Sequence, residues 1–228
     1  IAAKFAQVGA QYSAQAHRDM FVIRLRARSE QPYLQLALDQ LIEILTQANF
    51  SQQSLDRLFQ NVSIGQKQIQ ENPARSMTVK FYRSVYGKHP YAEPTTGTVQ
   101  SLKKITPAHL KAFQQRYLVN NNLNLAITGQ LTLEQAQHIA QQITQQLPLG
   151  EKAPPLATAE PITKAQFISL PFQSNQAHIM IGQIGLKRDD PDRIAMEVGN
   201  EILGGSGFTS LLMQALREKH GFTYGVSS

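Results

Sequence analysis

The sequence predicts an α+β protein in which antiparallel sheets are backed by helices. Two periodicities point there. Short runs alternate apolar and polar residues, most clearly over residues 20–27, as a half-buried strand does. Longer runs space apolar residues three and four apart, as in Leu34, Leu38, Leu41, Ile42 and Leu45, which puts them on one face of a helix. The order of patterns is the third observation. Strand and helix patterns run to residue 147, a proline-rich stretch intervenes, and the same patterns begin again after residue 162.

Each element has its own reason. Residues 1–8 read as the tail of a helix ended by Gly9. Residues 11–28 alternate well enough for one or two strands, and residues 32–47 carry the helical stripe just described. Ser51 is placed to cap a helix that runs to about Glu71 and carries Leu55, Leu58, Phe59, Val62 and Ile69. Asn72-Pro73 breaks that helix and opens the next, which stops at Gly87. A loop rich in Pro, Thr and Gly covers residues 88–98. Thr106-Pro107 opens a helix through Tyr117 with Leu110 and Phe113 turned inward. Residues 123–128 form a short strand, and residues 132–147 a helix whose Gln135 completes a capping box. Pro148, Pro154, Pro155 and Pro161 mark an extended connector. Beyond it, strands are expected at 165–170 and 177–184, helices at 191–203 and 209–220, and a strand from Phe222. The patterns at both ends read as interrupted, residue 1 is Ile, and no signal-peptide pattern leads the chain. A piece of a larger subunit is therefore expected.

Composition narrows the class. The chain has 228 residues, 42% hydrophobic and 17% charged, which suffices for a core and does not fit a disordered chain. The absence of Cys excludes disulfide scaffolds, thiolate metal sites and Cys nucleophiles. No apolar run approaches the roughly 18–20 residues of a membrane span. A net charge of +6 raises the possibility of a nucleic-acid partner, but the only adjacent basic pairs are Lys103-Lys104 and Lys187-Arg188, and no basic block exists. One ordered stripe does exist. Arg24, Arg26 and Arg28 alternate with Ile23, Leu25 and Ala27, so a strand places the three arginines on one face. A solvated sheet face is the ordinary reading of that stripe; a surface for a partner or an acidic ligand is the alternative.

Three groups of residues carry candidate chemistry. Gly204-Gly205-Ser206-Gly207 lies between two helices rather than after a strand, which argues for a helix cap and turn over a phosphate loop. His89 and Glu93 stand near each other, but the prolines around them deny helical geometry and no second His is close, so no metal site is expected there. Arg217 and Tyr224 flank the turn at Gly221. A guanidinium and a phenol can both donate hydrogen bonds to one developing oxyanion. Spacing alone does not distinguish that role from an Arg on a helix surface and a Tyr in a sheet.

Three segments, taken together, show a resemblance that does distinguish them. They are Tyr86-Gly87-x-His89-Pro90-Tyr91-x-x-Pro94-x-x-Gly97; Thr106-Pro107 through Phe113, Arg116-Tyr117 and the Asn-rich lead into residues 123–129; and Leu203-Gly204-Gly205-Ser206-Gly207-Phe208 through Leu211, with Leu216-Arg217-Glu218-Lys219, Gly221 and Tyr224. Over residues 1–228 the chain resembles the pitrilysin/insulinase family of zinc metallopeptidases, in particular the bacterial two-subunit branch related to mitochondrial processing peptidase. The resemblance implies a LuxS/processing-peptidase-like fold. Residues 1–147 would be the later half of a first peptidase-like domain, 148–162 the linker, and 163–228 the early half of a second. The two halves are expected to dock as one permuted domain or to swap with a second copy, giving a homo-oligomer.

The family's active subunit carries a His-x-x-Glu-His helix, which by resemblance would precede residue 1. A later helix supplies the third zinc ligand, and active members show two Glu there, seven positions apart. Counting back from Pro73 places those positions at Leu58 and Gly65, neither of which can bind zinc. The resemblance therefore implies the zinc-less subunit of a heterodimer, with no cofactor of its own. The zinc would belong to a homologous His-x-x-Glu-His partner and the substrate would be a peptide, with neither nucleic acid nor a membrane span involved. In that branch the zinc-less subunit lends an Arg and a Tyr to the partner's site, and Arg217 and Tyr224 match that pattern. Two alternatives stay open: a subunit whose own zinc site is encoded before residue 1, and a non-proteolytic peptide-binding or assembly scaffold. Export of bacterial relatives implies a periplasmic setting.

Overall fold

The computed structural model describes residues 2–205 and 207–228. Ile1, expected in the first helix, and Ser206, expected in the glycine-rich turn, lie outside the described residues. The chain divides into two compact units, Ile1–Ile181 and Gly182–Ser228.

The first unit is built on a β-hairpin. Helix α1 (Ala2–Gln7) leads into strands β1 (Gln11–Ala16) and β2 (Phe21–Arg26), which pair antiparallel. Register decides which side chains are buried. Tyr12 pairs with Leu25 and Ala14 with Ile23 on one face; Gln11 pairs with Arg26 and Ser13 with Arg24 on the other. Tyr12, Ile23 and Leu25 pack against helix α2 (Tyr33–Gln47), whose Leu38 and Leu41 meet Ile143 of helix α7 (Leu133–Gln146). Phe5 is 1% exposed and stacks on Tyr12 with ring centroids 5.0 Å apart, closing a cluster with Ala10 and Ala37.

The helix boundaries follow local chemistry. Helix α3 (Gln52–Gln70) starts at Ser51, whose hydroxyl accepts from the Ser54 N–H. Helix α4 (Pro73–Tyr86) starts at Asn72, whose side chain accepts from the Arg75 N–H, with Pro73 at the first helical position. Helix α5 (Val99–Leu102) is a single turn. Helix α6 (Pro107–Tyr117) and α7 both open on capping boxes, at Thr106/His109 and Thr132/Gln135. In the second unit, helix α8 (Arg193–Gly204) is followed by a π-helical segment, Met213–Lys219, where an α-helix was expected. Among the described residues, no helix is long and apolar enough to cross a membrane.

Two expectations need correction. Residues 123–128, 165–170, 177–184 and those from 222 onward join no ladder; among the described residues the only sheet is β1-β2. Alternation marks a segment that can present two faces, but a strand exists only where a second strand meets its N–H and C=O groups. Phe167 (96% exposed) and Ile181 (91%) lack such cover. On α6, Phe113 is exposed and Gln114 is the buried residue, at 5%. The Gln114 side-chain amide donates to the Leu45 carbonyl at 2.8 Å, one of the orphan acceptors in the last turn of α2, while its own oxygen accepts from Lys111. Burying Gln114 satisfies a helix end that Phe113 could not.

The proline-rich connector is strapped to the first unit through its early part. The Asn120 N–H donates to Pro148 O at 3.1 Å. The side-chain oxygens of Asn121 and Asn122 accept from the N–H groups of Gly150 and Ala153, at 3.2 and 2.9 Å. Arg116 pairs with the Glu151 carboxylate at 3.2 Å. Gly150 is required by close approach, because a Cβ there would lie 2.6 Å from Val119. Farther on, His89 Nδ1 accepts from the Tyr91 N–H at 3.1 Å, which leaves Nε2–H to donate to Ala157 O at 2.8 Å. Asn122→Ala combined with His89→Ala should speed cleavage within residues 150–157 by a nonspecific protease several-fold, as read by timed digestion and mass spectrometry. Unchanged cleavage would show that these bonds do not hold the strap.

Candidate functional site

Helix α3 carries Leu58 and Gly65, the two positions that the resemblance assigns to zinc-ligating carboxylates. Leu58 is 51% exposed, and a Cβ at Gly65 would meet nothing within 4 Å. Seven residues are nearly two helical turns, so the two positions share one face of α3. That face presents an alkyl group and a bare backbone, neither of which ligates a metal. The carboxylate within α3 is Asp56, which accepts from Gln52 one turn earlier at 2.8 Å. Among the described residues, no three His, Asp or Glu side chains converge as a metal-binding group. Leu58 and Gly65 themselves therefore offer no zinc ligand.

His89 and Glu93 have other work. Both ring nitrogens of His89 are engaged, by the Tyr91 N–H and by Ala157 O, and Glu93 pairs with Arg83 at 2.9 Å. Around them lies a cluster that sequence reasoning passed over. The Arg18 guanidinium sits 3.8 Å above the Tyr82 ring and donates to the carbonyls of Tyr91 and Glu93. Tyr86 and His89 both meet Tyr91 edge to face. The Tyr91 hydroxyl donates to Asp19 at 3.1 Å. Burial, and then this bond to Asp19, hold the Tyr91 phenol above its ordinary range. The cluster pins the loop over residues 88–98 to the turn of the hairpin. Its signal in the sequence was the spacing of Tyr82, Tyr86 and Tyr91, but nothing local points to Arg18 and Asp19 as their partners.

Arg217 and Tyr224 both lie in the second unit. Arg217 belongs to the π-helical segment, is half-buried, and places its guanidinium 4.6 Å from the centroid of the Phe208 ring. Its backbone carbonyl accepts from Gly221 N–H, and Leu216 O accepts from Phe222 N–H, both at 2.9 Å. Gly221 has φ +63°, the left-handed conformation that ends a helix and reverses the chain. Tyr224 follows that reversal and is 88% exposed. Among the described residues, no hydrogen bond links the two side chains. Arg217 is steadied by an aromatic face, and the Tyr224 side chain is exposed.

Comparison with known proteins places these features in context. Residues 1–99 match the sequence profile described as insulinase, peptidase family M16, and residues 104–228 match that of the peptidase M16 inactive domain. A Rickettsia felis protein named an uncharacterized zinc protease is 27% identical over 228 residues, which cover 100% of this chain and 54% of that protein. The crystal structure of a peptidase M16 inactive domain from Pseudomonas fluorescens superposes with a TM-score of 0.88 at 32% identity, covering 100% of this chain and 55% of that one. A protease from Helicobacter pylori shares the fold, with a TM-score of 0.73 at 16% identity over 98% of this chain and 54% of its own. The chain thus spans about half the length of the curated relatives it matches.

Gly65 offers a direct test of whether its face of α3 serves a structural purpose. With open space where a Cβ would lie, Gly65→Ala should stabilise the protein by up to about 1 kcal/mol in urea unfolding, through helix propensity alone. A loss of stability would mean that this position is packed against something the geometry does not contain.

Proposed function

The chain belongs to the M16 family of zinc peptidases, and from this membership we propose that it acts as the zinc-less subunit of a two-subunit metallopeptidase. The observation that most supports this role is α3. Leu58 and Gly65 stand where the resemblance calls for two carboxylates, on a helix whose one carboxylate is held by Gln52. The match of residues 104–228 to an inactive-domain profile is consistent with the same role.

In this reading the partner is a homologous subunit with a His-x-x-Glu-His helix, which holds the zinc, and the substrate is a peptide. Arg217 and Tyr224 would donate hydrogen bonds to the peptide carbonyl oxygen and to the oxyanion that develops from it. The Phe208 ring limits the rotamers open to Arg217, and this lowers the entropy lost when the guanidinium meets a ligand. Tyr224, which is exposed, supplies an O–H donor.

The test is mutation in the mixed subunits. Arg217→Ala and Tyr224→Phe should each lower kcat for peptide cleavage by about 10²–10³-fold, while the zinc content of the assembly stays unchanged. Full activity in both variants would overturn the assignment. A second measurement addresses the metal directly. After dialysis this chain alone should retain no stoichiometric zinc by atomic absorption; one tightly held zinc per chain would overturn the placement of Leu58 and Gly65.

A further inference from the structure

The outer face of the hairpin carries a feature that the proposed role leaves unused. Register places Arg24 opposite Ser13 and Arg26 opposite Gln11, and Arg28 continues the row beyond β2. All three arginines are exposed. Their Cα atoms repeat at roughly 6.8 Å, the distance spanned by two strand residues. Arg28 is already engaged: it pairs with Glu30 and lies 4.4 Å over the Tyr33 ring. Among the described residues, no carboxylate pairs with Arg24 or Arg26. Beside them, Gly9, Gln11, Arg26, Ala27 and Arg28 line a recess of about 390 Å³.

We propose that this face binds an extended acidic peptide segment, with carboxylates at every second residue seated on Arg24 and Arg26. Three physical reasons favour this occupant. Like charges set in a row repel one another, and an anionic occupant relieves the repulsion. An extended peptide projects alternate side chains with the same two-residue period as β2, so carboxylates at alternate positions meet successive guanidinium groups in register. Each guanidinium can clasp a carboxylate through two parallel N–H bonds, while Gln11 and Ser13 beside them offer neutral donors and acceptors. The net charge of +6 steers the same class of ligand toward the chain. The other face of the hairpin is covered by α2, so a ligand meets the arginines and not the apolar set.

This proposal names the substrate class for the peptide-handling role above and rests on that reading. Its test does not depend on cleavage. Fluorescence anisotropy would follow the full 228-residue chain binding a labelled peptide that alternates Glu and Ala, the same peptide with Gln in place of Glu, and a labelled oligothymidylate. The Glu peptide should bind about tenfold tighter than the Gln peptide, and the advantage should fade as NaCl rises. Arg24→Gln with Arg26→Gln should abolish that advantage at an unchanged thermal melting curve. Arg24→Lys with Arg26→Lys should keep part of it, because charge remains and the two-pronged geometry is lost. Equal binding of the two peptides, or a Gln double variant that retains the preference, would overturn the proposal. Tighter binding of oligothymidylate than of the Glu peptide would also overturn it. Failure here leaves Arg217 and Tyr224 in their assigned roles, whereas inactive mixed subunits with intact acidic selectivity would sink the metallopeptidase reading alone.

Discussion

The packing of the hairpin's apolar face on α2 is the contact on which the first unit depends. Tyr12, Ile23 and Leu25 lie against Leu38 and Leu41, and Ile143 joins them from α7. A two-stranded sheet is marginal by itself in water, so the hairpin exists because α2 covers it. The same contact determines everything on the opposite face. Side chains of a strand alternate, so burying Ile23 and Leu25 obliges Arg24 and Arg26 to face outward. A slip of one residue would bury two guanidinium groups, which is costly.

Polar contacts then hold what the core does not reach. The loop over residues 88–98 has little apolar mass, and it is positioned by Arg18, Asp19, Arg83 and three tyrosines. The connector after Pro148 is held by backbone bonds to Asn121 and Asn122 and by an ion pair to Arg116. Most of these groups are exposed, so each bond contributes modestly; they fix geometry more than they add stability. Gln114 is the exception, a buried amide that closes the end of α2.

Much of this architecture was legible in the residues themselves. Ser51, Asn72-Pro73, Thr106-Pro107 and Thr132 with Gln135 mark helix starts by chemistry that operates within four residues, and each start lies where that chemistry puts it. The candidate site was legible in part. Its residue types and the lack of carboxylates at Leu58 and Gly65 are matters of sequence. That Arg217 leans on Phe208 is not, because the aromatic ring lies nine positions away across a turn. Nor was the partnership of Arg18 with Tyr82 and of Asp19 with Tyr91, which joins residues more than sixty positions apart.

The sequence by itself determined most of the helices, their caps and the polarity of the hairpin's two faces. These follow from nearest-neighbour sterics, local hydrogen bonds and periodicity, none of which needs a distant partner. Only the tertiary structure decided which alternating segments became strands, that Gln114 rather than Phe113 is buried on α6, and that the proline-rich connector is tied down over residues 148–157. Each of those outcomes depends on whether a second group, remote in the chain, arrives to satisfy a backbone donor or acceptor. Local sequence can announce that need but cannot say what will meet it.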